Sequence, residues 1–166
     1  MTLSRPVALG SRIAACSLLA LVAFASNAQG RYVVSGDGQE VTDSSSHLTW
    51  RRCAEGLRWN GKACTGKLAK YSYAGAKKAA EAARSSGKAW RIPSREELAG
   101  LIDMKAKKKP RIDAEAFPKS TNGPFWASRQ GSDDDLNAWL VNVGTGKVRA
   151  NLGQQKFPLR LVRPAS

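Results

Sequence analysis

Histidine is almost missing from this chain: His47 is the only one in 166 residues. A lone imidazole supplies neither a zinc cluster, which needs four ligands, nor a convincing nucleophile–base relay. Acidic residues are also scarce, 13 against 27 lysines and arginines, so the chain carries a net charge of +14. That excess keeps a protein soluble and attracts polyanions, but it does not specify a fold. There are only three cysteines, and aromatic residues make up 7%. No internal repeat and no long low-complexity tract is present, so one compact unit is expected. Long apolar runs are missing too. The longest, residues 13–25, holds 13 residues, which as a helix rises about 20 Å, short of the ~30 Å hydrocarbon core of a bilayer.

That short run has a telling context. Arg5 and Arg12 precede it and Ser26-Asn27-Ala28 follow it. A basic start, a short apolar middle and small residues at its end are the marks of a secretory signal. Residues 1–28 are therefore expected to be a cleaved leader, and the product periplasmic or secreted. Ile13-Ala14-Ala15-Cys16 resembles a lipoprotein cleavage box, but most of the apolar stretch follows Cys16 instead of preceding it, and Cys16 is read as part of the run. Removing the leader leaves 138 residues, one domain's worth, with 25 basic residues against 13 acidic, a net charge of +12. No permanent membrane span is expected.

Two cysteines then remain, Cys53 and Cys64. An even count in an oxidising compartment argues for a disulfide. A redox pair would be closer in sequence, as Cys-x-x-Cys.

Local patterns predict an α+β fold. Tyr32-Val33-Val34 and Val41 flank the turn signal Gly36-Asp37-Gly38, a β-hairpin pattern, and His47-Leu48-Thr49-Trp50 reads as a further strand. Between the cysteines, Gly56, Asn60 and Gly61 suggest a loop carrying Trp59. Ser72 can cap a helix from Tyr73 to Ser85 with Gly87 past its end. Ser94 and Glu97 match a capping box that opens a second helix, expected to end near Met104. A helical turn is expected over residues 113–116. Residues 124–128, 137–143, 147–152 and 159–163 alternate as antiparallel strands.

The ordered series Asp43, Leu48-Thr49-Trp50, Cys53, Gly56, Trp59, Cys64, Gly66, Tyr71-Ser72-Tyr73, Ala76, Trp90-Arg91-Ile92-Pro93-Ser94-Arg95-Glu96-Glu97-Leu98, Phe117-Pro118, Phe125-Trp126-Ala127-Ser128 and Val162-Arg163 resembles the Lcl C-terminal domain family over about residues 40–163. That family is named after the C-terminal domain of a bacterial collagen-like adhesin. The chain departs from its pattern at Thr49, Tyr73 and Ala127, and the namesake's collagen-like repeat is not in this sequence. The resemblance implies a C-type-lectin-like fold, akin to that of the formylglycine-generating enzyme superfamily, and an exported location. In the namesake the domain is associated with binding sulfated glycosaminoglycans.

Two segments are candidate ligand-binding sites. Lys105, Lys107, Lys108, Lys109 and Arg111 place five cations in seven positions, a pattern that can follow a sulfate-bearing chain; the plain alternative is a solvated loop. Arg51, Arg52, Arg58 and Lys62 surround Trp59, so that a ring could stack while cations hold an anion; alternatively, Trp59 packs over the disulfide and the arginines are ordinary surface. Trp50, Trp90, Trp126 and Trp139 are assigned to the core. Asp133-Asp134-Asp135 could suggest calcium but reads as a solvated acidic turn, because calcium draws six to eight oxygens from several places. No catalytic residue, metal or cofactor is expected. Partners are expected to be anionic polysaccharides or other polyanions, with nucleic acid only as extracellular DNA. The sequence thus leaves two functions open, an exported anionic-glycan-binding module and a structural or protein-interaction domain of the bacterial envelope.

Overall fold

A computed structural model of the chain describes residues 1–2, 30–128, 138–151 and 155–165. The described residues form nine strands and two helices: β1 (Tyr32–Val34), β2 (Glu40–Asp43), β3 (Leu48–Arg51), β4 (Leu57–Trp59), β5 (Cys64–Gly66), α1 (Tyr73–Arg84), α2 (Arg95–Ala99), β6 (Pro124–Ser128), β7 (Ala138–Asn142), β8 (Val148–Ala150) and β9 (Val162–Pro164). The leader expected over residues 1–28, the acidic triplet Asp133-Asp134-Asp135 and the far ends of two expected strands lie outside the described residues, apart from Met1 and Thr2.

Three antiparallel sheets organise the described residues. The first has the order β1-β2-β3-β9, with Val41 opposite Trp50 and Trp50 opposite Val162. The expected hairpin is its first half. Its turn needs Gly38 on two grounds: φ is +69°, and a Cβ there would lie 2.4 Å from the Trp59 ring. The closing strand is shorter than its sequence pattern. Leu159, Arg160 and Leu161 are buried without joining a ladder of their own, and only residues 162–164 pair with β3. The second sheet, β6-β7-β8, sets Trp126 opposite Leu140 and Ala127 opposite Trp139.

The third sheet corrects an expectation. The segment between the cysteines is a hairpin, β4–β5, with Trp59 opposite Cys64. Its turn is closed by Asn60, whose side-chain oxygen accepts from the amides of Lys62 and Ala63 at 3.0 and 2.9 Å. Cys53 and Cys64 form the disulfide, which ties this hairpin to the end of β3.

Both helices start where the capping chemistry places them. Ser72 Oγ accepts from Gly75 N–H at 3.2 Å, and Tyr73, Ala76 and Ala80 turn inward. Ser94 Oγ accepts from Glu97 N–H at 3.1 Å while Glu97 Oε2 accepts from Ser94 N–H at 2.7 Å. Arg91 holds the same Glu97 carboxylate through two hydrogen bonds of 2.7 Å. The second helix ends at Ala99, not near Met104. Beyond it the Asp103 amide is drawn to the carbonyl of Arg111 at 2.7 Å, so the chain loops instead of continuing the helix.

The core forms two clusters. One gathers Trp50, Leu98, Phe117, Phe125, Val141 and Val162 against the first sheet. The other gathers Tyr73, Ala76, Trp90, Trp126, Leu140 and Leu161 under α1. Trp50, Trp90 and Trp126 are fully buried as expected, each removing on the order of 200 Å² from water. Trp139 is only half-buried, with the Arg95 guanidinium 4.3 Å from its ring centre. The most unusual core member is Arg160, 1% exposed. Its guanidinium donates to the carbonyl of Arg51 at 2.7 Å, to that of Arg52, and to Ser120 Oγ at 2.7 Å, and it lies 4.8 Å from the Phe117 ring centre.

Candidate functional site

A cleft of about 720 Å³ opens between β1 and the loop that follows α2. The loop is closed at its base by the main chain of Arg111, whose N–H donates to Val143 O at 2.8 Å and whose carbonyl accepts from Asp103. Asp103 Oδ1 caps the Lys105 amide at 2.8 Å. The expected turn over residues 113–116 follows, with Asp113 Oδ1 accepting from the amides of Glu115 and Ala116. Lys105, Lys107, Lys108 and Lys109 are exposed along the loop, and Arg111 is half-buried and lines the cleft.

The second candidate segment meets the same cleft from the other side. Arg52 lines it, held between two fixed groups: its guanidinium lies 3.8 Å over the Trp59 ring, and its Nη2 donates to Glu115 O at 2.9 Å. Trp59 therefore packs on Gly38 and beneath Arg52. Its own carbonyl accepts from Gln39 Nε2 at 2.8 Å. Arg51 turns elsewhere, 4.9 Å from the Trp90 ring centre and 3.9 Å from Glu55 Oε1. Lys62 sits in the exposed β4–β5 turn and lines no part of this cleft. The structure thus brings Arg52 and Arg111 to one cavity, with the lysines on the loop that forms its wall, and leaves Arg51 and Lys62 apart.

Sequence reasoning missed several lining residues: Arg31, Tyr32, Asp103, Asp113 and Glu115. The available signal was position, since Tyr32 lies in the expected first strand and Asp113 opens the expected turn. Burial raises the Tyr32 phenol to about 12, so at neutral pH it is a hydrogen-bond donor. Burial would also raise the Asp43 carboxyl, but hydrogen bonds from Arg31 and Ser45 outweigh it and hold the pKa at about 2. Arg31 grips Asp43 through two contacts, 3.0 and 2.7 Å, so its charge is largely committed. Inside the cleft three arginines face three carboxylates, and the positive excess comes from the exposed lysines. Such a surface can hold anionic groups at its arginines and accept hydroxyl hydrogens at its carboxylates.

A second cleft, about 710 Å³, lies between α1 and the β4–β5 hairpin and includes Arg51, Glu55, Arg58 and Tyr71. Among the described residues no three His, Cys, Asp or Glu side chains gather to hold a metal ion, and no helix is long and apolar enough to cross a membrane.

A family model, that of the Lcl C-terminal domain, matches residues 39–163. No curated protein and no solved structure matches.

Proposed function

Because the chain belongs to the Lcl C-terminal domain family, we propose that it is an exported, non-catalytic module that binds anionic glycans in the cleft between β1 and the basic loop. One observation carries this reading: Arg52 and Arg111, from segments 59 residues apart, line the same cavity beside four exposed lysines. Lysines act as hydrated point charges and would draw a sulfated or carboxylated chain in. The arginine forks would then hold its anionic groups, and Asp103 and Glu115 its hydroxyls. Export rests on the pattern of residues 1–28. A C-type-lectin-like architecture is part of the same proposal, supported by the family and by a first sheet that joins the strands nearest the two ends of the chain.

The test is retention on immobilised heparin. The protein is expected to bind at low salt and elute at moderate salt, because such contacts are screened. Replacing Lys107, Lys108 and Lys109 by Ala should lower the eluting salt, and Arg52→Ala with Arg111→Ala should lower it further. Retention no stronger than that of a charge-matched control would turn the reading to a structural or protein-interaction domain.

A further inference from the structure

The second cleft differs in chemistry from the first. One wall is a flank of α1, lined by the methyl groups of Ala79, Ala82 and Ala83. Opposite stands Glu55, its side chain 20% exposed. Its main chain is fixed at both ends, the N–H donating to Leu159 O at 2.9 Å and the carbonyl accepting from Ala69 N–H at 3.0 Å. Among the described residues its carboxylate accepts no hydrogen bond, and its one ion-pair contact there is the long 3.9 Å approach of Arg51. Burial raises the Glu55 carboxyl above its ordinary value, while the nearby charges of Arg51, Arg160 and Arg58 oppose that rise. Arg58 and Tyr71 line the same space, and both lie within electrostatic reach of Glu55.

The Glu55 carboxylate is open to the cleft and, among the described residues, free of protein donors, so a ligand can supply donors to it there. A cationic ligand is disfavoured, since Arg51, Arg58 and Arg160 all lie within electrostatic reach of that carboxylate. An anionic group beside Glu55 would meet a carboxylate that, unlike Asp103 and Asp113 of the first cleft, caps no amide and has no cation at hydrogen-bond distance among the described residues. Hydroxyl groups satisfy both sides, donating to Glu55 and accepting from Arg58 and Tyr71. The alanine wall suits the flat C–H face of a ring, and the volume falls in the range of small-ligand sites. We infer that this cleft binds a neutral pyranose, a site separate from the anion-binding cleft and independent of that reading.

Saturation-transfer NMR with methyl β-D-glucopyranoside, methyl α-D-mannopyranoside and N,N′-diacetylchitobiose, at low and high sodium chloride, tests the inference. Transfer from the protein to at least one of these sugars is expected, with an affinity unchanged by salt. Glu55→Gln should weaken it about tenfold or more, as loss of a charged acceptor does. Ala82→Phe, at an exposed helix position, should abolish it by filling the wall. Thermal melting confirms that both variants fold, and unchanged heparin retention in both separates this site from the first. No transfer to any of the three sugars would overturn the inference. So would transfer undiminished in both folded variants, or transfer that disappears at high salt.

Discussion

Reducing the Cys53–Cys64 bond should lower the melting temperature of the protein by about 10 °C. The bridge spans a sequence separation of 11 residues, and closing a loop of that size removes roughly 3 kcal/mol of chain entropy from the unfolded state. A domain of this size loses roughly 3–4 °C per kcal/mol, which gives the figure. The consequences are local as well as global. The hairpin that the bridge anchors carries Trp59, the ring under Arg52, and forms one wall of the second cleft. Far-ultraviolet circular dichroism melts with and without reductant measure the shift, with a Cys53→Ala, Cys64→Ala double variant as the control that reductant should not affect. Equal melting temperatures for oxidised and reduced protein, with both thiols confirmed free after reduction, would refute the reasoning.

Arg160→Met should destabilise the fold by about 2–4 kcal/mol, because it strands the acceptors at Arg51, Arg52 and Ser120 in a buried setting; urea unfolding gives the value, and a loss below about 1 kcal/mol would contradict the role assigned to that guanidinium. Acid should weaken the protein through Asp43. Its folded pKa of about 2 lies below the ~3.9 of an unfolded aspartate, so its contribution, roughly 2 kcal/mol, is complete above about pH 4 and lost as pH falls through 2. Urea titrations at pH 2, 3 and 5 should show that slope reduced in Asp43→Asn. Ser94→Ala breaks the capping box and should cost about 1 kcal/mol by the same measurement.

Much of the scaffold was legible because its signals are local. Ser72 and Ser94 sit where a hydroxyl can meet an exposed amide, and Gly36-Asp37-Gly38 separates two runs of β-forming residues. The β4–β5 hairpin escaped notice because its strands hold three residues each, too few to show alternation, although Asn60-Gly61 is itself a hairpin turn signal. Arg160 was not legible. An arginine between two leucines reads as a strand's solvent face, and its burial depends on carbonyls more than 100 residues away. For the candidate cleft, the sequence showed the cations but not their meeting. Arg52 reaches Glu115 only because β3 and the turn after the basic loop lie side by side in the fold. Arg51, the last residue of β3, faces Trp90, while Arg52, just past the strand, turns to Trp59 and Glu115.

A nitrogen-15 NMR titration with a size-defined heparin oligosaccharide tests the central claim most directly. The account predicts that the shifted amides cluster at Arg31, Tyr32, Arg52 and residues 103–116. Shifts spread evenly over every lysine-bearing surface, or centred on Lys77 and Lys78 of α1, would contradict it.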